Sequence, residues 1–430
     1  MKILLTGATG YIGKRLLPVL LDQGHQVVCC VRDKKRFPTE GIYKHPNITI
    51  FEVDFLKDIP LLEDIKDIDA AYYLIHSMSS NISHFETLEE ASANNFLALV
   101  KQTQIKQIIY LTGITNEKKL SKHLASRKHV EQILGQSEIP LTSIKAAIIV
   151  GSGSASFEII RDLVEKLPIM ITPKWVNTKI QPIAIRNILE YLSGVLLKKE
   201  TFNNSYDVGG PDILSYKEML LQFAEVRGLK RYIVTVPVMT PRVSSYWLYF
   251  VTSTSYMLAV NLVNSMKVEV IANDNRLEKM LGIKAISYKD SVQLAFQKIE
   301  QNNVVSSWKD SFSSSAVDYP LLENIQIPSR GCFVDKKLKP LTGHVDQVID
   351  NIWSIGGQRG WYGVNWLWNI RGFLDKVFGG VGLNRGRREQ NTILIGDTID
   401  FWRVLVADKP NKRLLLYSEM KLPGEGWLEF

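Results

Sequence analysis

Cysteine is almost missing from this chain: Cys29, Cys30 and Cys332 are the whole supply in 430 residues. Two adjacent thiols and one distant one make neither a disulfide framework nor a metal-ligand spacing, so no metal is expected and a reducing cytoplasm is. Charge of one sign is not concentrated either. The net charge of +8 arises from 52 Lys and Arg against 44 Asp and Glu scattered along the chain. A nucleic-acid binder would gather such charge into a basic stripe, so no nucleic-acid partner is expected. No internal repeat or low-complexity tract is visible, and because Met1-Lys2 leads straight into an apolar strand pattern no signal peptide is expected. What is present in ordinary amount is apolar matter. At 45% hydrophobic residues a sizeable core is available, and the length calls for two or three domains.

The most informative stretch is Lys2-Ile-Leu-Leu-Thr-Gly-Ala-Thr-Gly-Tyr-Ile-Gly13. A short apolar run breaks into three glycines spaced three apart, then into a helical pattern whose Leu16, Leu17, Leu20 and Leu21 form one stripe. Such a strand-turn-helix holds a dinucleotide pyrophosphate: Gly7 permits the sharp turn, Gly10 a close approach of backbone to phosphate, and Gly13 close packing of helix on strand. The helix N-terminus supplies free N–H groups and a positive dipole end. Gly7, Thr9, Gly10, Tyr11, Ile12 and Gly13 are therefore the first cofactor-binding candidates. The second strand, Gln26 to Val31, ends at Arg32 where an NAD-specific site would place an acid. Arg32 with Lys34, Lys35 and Arg36 suits a 2′-phosphate, which favours NADP; Asp33 keeps NAD open.

Apolar runs near 2–6, 26–31, 48–53, 70–75, 107–112 and 141–150 alternate with helical patterns, the signature of an α/β fold with a doubly wound parallel sheet. Ligands in such sheets bind at the carboxyl ends of the strands, where Gly7, Arg32, Asp54, His76 and Thr112 all fall. Beyond Gly151-Ser-Gly-Ser154, helices are expected near 155–167, 183–197 and 215–227 in a small substrate lobe spanning about 151–300. Val243 to Met266 carries no charge but is dotted with Ser, Thr and Asn, so it reads either as a buried helix or as a peripheral membrane or protein contact. Asn and Ser cluster in Gln301–Tyr319, placing a linker over 301–328 between a domain 1–300 and a C-terminal α+β domain 329–430.

The first 300 residues resemble the short-chain dehydrogenase/reductase superfamily in its extended or atypical, NmrA-like branch. Thr6-Gly-Ala-Thr-Gly-Tyr-Ile-Gly13 matches its cofactor motif, and Asp54-Phe55 matches the pair that contacts adenine. Tyr73-Leu-Ile-His-Ser77 matches the strand end at the adenine ribose and pyrophosphate, which adds Leu74, Ile75 and His76 to the cofactor candidates. Ile108 to Gly113 matches the strand that carries the substrate-binding serine. Members of the extended branch carry Tyr-x-x-Ser-Lys-x-x-x-Glu. The aligned segment here is His123-Leu-Ala-Ser126-Arg127-Lys-His-Val-Glu131, so both the proton-donating tyrosine and its lysine are replaced. The resemblance makes His123 the candidate donor, Arg127 the candidate ribose holder and Thr112 the candidate hydroxyl; the alternative is a helix that has lost catalysis. Lys128 is one residue out of register, about 100° away around the helix.

Further motifs, among them Gln181-Pro-Ile-Ala-Ile-Arg186, Tyr206 to Asp212 and Gly379 to Arg388, resemble a subgroup of oxidoreductases with a fused C-terminal domain of unknown function. That domain looks similar to the helix-grip, Bet v 1-like proteins, with strands expected over Asp397–Arg403, Lys412–Met420 and Gly426–Phe430; the last reads as a strand still in progress, as if relatives extend further. Trp353, Trp361, Trp366, Trp368, Tyr362 and Phe373 either line a cavity there or form its core, and Asp397, Asp400 and Arg403 are its candidate polar groups. Together these features imply an NADP-dependent oxidoreductase of a carbonyl or hydroxyl on a fairly apolar small molecule. A non-catalytic NADP-binding redox sensor or assembly protein, and a hydrophobic-ligand carrier, are the alternatives. A cytoplasmic, possible membrane-associated location follows from the same features.

Overall fold

The computed structural model describes residues 1–34, 37, 41–57, 59, 66–75, 85–115, 122–236, 260, 263–264, 266–300, 333–340, 344–357, 359–363, 365–377, 393, 397–420 and 426–430. The described residues form two compact units, one ending at Glu300 and one starting at Phe333. The stretch 301–328 lies outside the described residues, as does most of 243–266.

The first unit opens β1 (Lys2–Leu5), α1 (Gly13–Asp22), β2 (Gln26–Val31), β3 (Ile48–Glu52), β4 (Ala70–Tyr73), α2 (Phe85–Val100), β5 (Ile108–Gly113), α3 (Lys122–Gly135) and β6 (Leu141–Ala146). With β7 (Ile149–Val150), α4 (Ala155–Lys166), β8 (Ile169–Pro173), β9 (Lys179–Ile180), β10 (Ile183–Ala184), α5 (Ile185–Gly194) and β11 (Asn204–Val208), the main sheet is complete. Its seven strands are all parallel, in the order β11-β6-β5-β4-β1-β2-β3. The remaining elements are β12 (Leu214–Ser215), α6 (Tyr216–Val226), β13 (Tyr232–Val236), α7 (Arg276–Leu281) and α8 (Tyr288–Glu300). The strand expected over 141–150 is interrupted: β6 stops at Ala146, and Ile149–Val150 leave the sheet to pair with β10.

Alternation of side chains across each strand feeds two cores. Ile3, Leu5 and Cys29 face α1 and α5, whose Leu16, Leu17, Leu20, Ile188 and Leu192 are all fully buried. Leu4, Cys30 and Tyr110 face α2 and α3, with Phe96, Leu99, Val130 and Leu134. The two thiols thus lie on opposite faces, as their adjacency requires, and burial pushes the Cys29 thiol up to about 12.

The second unit holds α9 (Val345–Ile352), α10 (Asn365–Val377) and an antiparallel sheet of β14 (Thr398–Ile399), β15 (Trp402–Asp408), β16 (Arg413–Ser418) and β17 (Trp427–Glu429). The single strand expected over Asp397–Arg403 is two strands separated by a turn. Asp400 takes φ 53° there, with its carboxylate accepting from the Trp361 indole at 2.8 Å and the Gly357 amide at 3.3 Å. Trp361, Trp368, Phe401 and Trp402 stack at centroid distances of 5.4–6.2 Å, so these aromatics are core.

The chain leaves β1 for one half of the sheet and returns through β4 to build the other, which makes the carboxyl ends of β1 and β4 the switch point where a crevice opens. Thr6 fastens that point. Its hydroxyl donates to the Tyr72 carbonyl at 2.9 Å and accepts the Leu74 amide at 2.9 Å. Thr6→Val keeps the shape and orphans the Leu74 N–H. We expect a loss of about 2 kcal/mol in urea unfolding, largely restored in Thr6→Ser.

Candidate functional site

The glycine turn is built by contacts that a side chain would destroy. Gly7 sits at φ 63°, and a Cβ there would lie 2.7 Å from the Leu74 carbonyl oxygen. A Cβ on Gly13 would collide with the Gly7 carbonyl and the Ala8 backbone. Between them the Gly10 amide donates to the Gly7 carbonyl at 2.8 Å, and the Lys14 amide to the Gly10 carbonyl at 3.1 Å. The first-turn amides of any helix lack intrahelical acceptors. Here Ile12 makes no side-chain cap and the first turn contains no acid, so an anion is the natural partner of those amides. Thr9 and Ile12 are partly exposed in this turn.

Tyr11 belongs to the turn by backbone and to another contact by side chain. Its hydroxyl is buried against Gly151, where an added Cβ would stand 2.7 Å away, and burial pushes its pKa up to about 12. Arg15 covers the Tyr11 ring with its guanidinium 4.8 Å from the centroid and donates to the Ser152 carbonyl at 2.7 Å. The first turn of α1 is therefore tied to the loop that enters α4, a link the motif alone does not reveal. Ser154 continues it by capping α4, accepting the Phe157 amide at 3.2 Å.

One strand over, Arg32 ends β2 and faces Asp54 beyond β3, with 3.9 Å between Nε and Oδ1 and the Arg32 side chain 40% exposed. A long, exposed pair of this kind contributes little. The guanidinium stands partly in solvent at the carboxyl end of the strand. Asp54 also accepts the Leu56 amide at 3.1 Å in a tight turn. The Phe55 ring turns inward against Phe96 at 5.9 Å, leaving backbone as its contribution to the site, and Asn95 holds that backbone by donating to the Phe55 carbonyl at 2.8 Å. Leu74 and Ile75 run past the switch point and turn to opposite cores. His76, Lys35 and Arg36 lie outside the described residues.

A third group gathers around Tyr110 on β5. The Tyr110 hydroxyl donates to the Arg127 carbonyl at 3.4 Å. Burial pushes its pKa up to about 12, opposed by the Arg127 charge and the Thr112 hydroxyl. Thr112 Oγ1 is buried without a well-formed hydrogen bond, and so is Arg127 Nε. Beside them Ser126 donates to the buried Glu89 carboxylate at 2.7 Å. Thr112 and Arg127 thus meet around one hydroxyl, while Lys128 is exposed, as its offset predicts. His123 lies in the first turn of α3, four residues before Arg127, and its side chain is outside the described residues. Sequence reasoning did not find Thr6, Arg15, Glu89 or Tyr110; only the threonine before Gly7 carries a visible signal, its place at the strand end.

A cavity of about 410 Å³ opens past the carboxyl end of β11, lined by polar groups that include Gln181, Tyr191, Asp207, Asn273 and Glu278. Among the described residues no group of His, Cys, Asp and Glu could hold a metal ion, and no helix is long and apolar enough to cross a membrane.

A parallel sheet with a glycine-cradled helix N-terminus at its switch point defines an NAD(P)-binding Rossmann domain, and comparison with known proteins agrees. Residues 7–159 match the family described as NAD(P)H-binding, and residues 329–430 match a family described as a protein of unknown function, DUF2867. The photosystem II assembly factor Ycf39 of Trieres chinensis is 25% identical over 214 residues, 49% of this chain and 64% of that protein. The ketoreductase adrE of Penicillium rubens is 30% identical over 122 residues, 27% of this chain and 36% of that protein. The chain thus spans less than two thirds of the length of these curated relatives. Among solved structures, a nucleoside-diphosphate-sugar epimerase of Staphylococcus aureus superposes with a TM-score of 0.56 at 16% identity, covering 68% of this chain and 100% of that one. The UDP-glucuronic acid 4-epimerase of Bacillus cereus, solved with NAD, gives 0.53 at 17% identity, covering 70% of this chain and 97% of that one. Identities this low show the fold alone.

Gly13→Ala drives a methyl group into the Gly7 backbone. We expect a loss of about 1–3 kcal/mol in stability, read by chemical unfolding, and, in thermal-shift titrations with NADH and NADPH, less stabilisation by dinucleotide than in the unaltered chain.

Proposed function

We propose that this protein is an NADP(H)-preferring oxidoreductase that moves hydride between the nicotinamide and a carbonyl or hydroxyl carbon of a small, fairly apolar molecule. The observation that carries the cofactor preference is the place of Arg32, directly after β2 where an NAD-specific site would carry an acid, with its side chain 40% exposed. The glycine cradle and the uncapped start of α1 suit the pyrophosphate, and Asp54 with the Leu74–Ile75 backbone suits the adenosine half. The dinucleotide supplies the hydride chemistry when bound; the protein supplies position and proton. Arg127 and Thr112 converge at the Tyr110 hydroxyl near the carboxyl end of β5, and His123 occupies the sequence position of the usual tyrosine, four residues before Arg127 on α3, so in this reading its imidazole is the proton donor. The name of the ketoreductase relative accords with this chemistry.

A second reading is a non-catalytic NADP-binding assembly or regulatory protein. It is favoured by the replacement of both the tyrosine and the lysine on α3, and by the likeness to an assembly factor.

Titration of NADPH and NADH against the unaltered chain and Arg32→Ala separates the cofactors. A charge-assisted bond to phosphate is worth about 1.5–3 kcal/mol, so NADPH should weaken by roughly tenfold to a hundredfold while NADH changes little. Turnover over a panel of apolar aldehydes, ketones and quinones, lost in His123→Ala with NADPH binding retained, separates the two functions. Tight binding with no turnover anywhere on the panel selects the second reading.

A further inference from the structure

The cavity of about 410 Å³ past the carboxyl end of β11 takes no part in the nucleotide chemistry described above. Three carboxylates line it, those of Asp207, Asp274 and Glu278, and no lysine, arginine or histidine does. Arg276 already matches Asp274 at 3.1 Å, and Asp207 accepts the Asn273 amide at 3.1 Å. Glu278 makes no side-chain hydrogen bond or ion pair among the described residues. Tyr191 of α5 reaches the same cavity and is 1% exposed, yet its hydroxyl makes no hydrogen bond among the described residues. Burial, followed by the charges of Glu278 and Glu190, pushes that hydroxyl up to about 12, so it stays neutral, and the influence of Glu278 places it on the cavity side. Buried polar groups in folded proteins have partners, so a hydroxyl and a carboxylate left over in one cavity point to a ligand. The walls are fixed in advance. Gln181 ties them together, donating to the Gly210 carbonyl at 2.7 Å and accepting the Ala272 amide at 2.9 Å, and a Cβ on Gly209 would collide with that side chain.

We propose that this cavity binds an aliphatic diamine or polyamine. Its excess of negative charge calls for a cation. Among the described residues no group of His, Cys, Asp and Glu could hold a metal ion, so the three acids do not converge on one point and suit ammonium groups spaced along a chain. Carboxylate and phenol oxygens are acceptors for N–H donors, and charge makes such bonds strong. A quaternary ammonium ion would instead need a cage of aromatic faces, and Tyr191 is the one aromatic residue in the lining. The site is remote from the dinucleotide crevice. β11 lies four strands from β1, about 19 Å at the usual strand spacing. The cavity also draws on α5 and α7, whereas Arg127 stands on α3 across the sheet. The inference therefore does not rest on the hydride-transfer reading.

The test is equilibrium dialysis of the full chain against labelled putrescine and spermidine at low salt. Both should bind, less tightly as salt is added, and unlabelled butanediol, the uncharged analogue of putrescine, should not displace them. Glu278→Gln keeps the shape of the side chain and removes its charge, and should weaken putrescine by roughly tenfold to a hundredfold. Tyr191→Phe leaves the ring in the core and should weaken it by roughly fivefold. Glu138→Gln removes an exposed acid just before β6, at the other end of the sheet, and should change nothing. An unaltered urea midpoint shows that each variant folds. Failure of both amines to bind overturns the proposal, as does displacement by butanediol or an undiminished affinity in Glu278→Gln. An equal loss in Glu138→Gln overturns it too, because the attraction is then that of any surface carboxylate.

Discussion

Everything at the nucleotide end of the molecule hangs on the close approach of β1 to β4 at the switch point. Gly7 lies so near the Leu74 carbonyl that only a hydrogen atom fits between, and the Thr6 hydroxyl closes the same gap by serving as donor to Tyr72 and acceptor from Leu74. From that closure the start of α1 receives its direction, because Gly13 then rests directly on the backbone of Gly7 and Ala8. The first-turn amides of α1, the Arg32 corner and the end of β5 are all placed relative to this junction by the parallel register of the central strands.

Hydrophobic period and glycine spacing make the parallel sheet legible in the sequence, because both are backbone requirements written into residue type. Strand ends were less legible. The run 141–150 contains no glycine or proline to break it, and nothing in it says that Ile149 and Val150 abandon β6 for β10. The turn at Asp400 was hidden for a related reason: its left-handed conformation is held by distant groups, the Trp361 indole and the Gly357 amide, and leaves no glycine in the sequence to mark it.

Side-chain direction is the part of the site that spacing cannot supply. Tyr11 and Phe55 both sit in cofactor motifs, yet one ring is buried beneath Arg15 and the other beside Phe96. In α3 the converse holds. An alignment shows Arg127 and Thr112 only as departures from a familiar pattern, whereas the fold brings both to the Tyr110 hydroxyl, with the Glu89–Ser126 pair as neighbours. The tryptophans of the second unit divide the same way: helical period marks a stripe, and packing alone decides that Trp368 goes inward and Trp366 outward.

The Arg15 contact carries a consequence for how this sequence can drift. Its shorter bond is to the main-chain oxygen of residue 152, at 2.7 Å, with the Ser152 hydroxyl a weaker second acceptor at 3.3 Å. A carbonyl is common to all twenty amino acids, so position 152 can vary while the clamp persists, whereas position 15 needs a long, forked donor that also lies flat over an aromatic ring. Two residues joined by one bond are thus under unequal constraint, and substitutions should accumulate on the loop side of the joint while the helix side stays fixed.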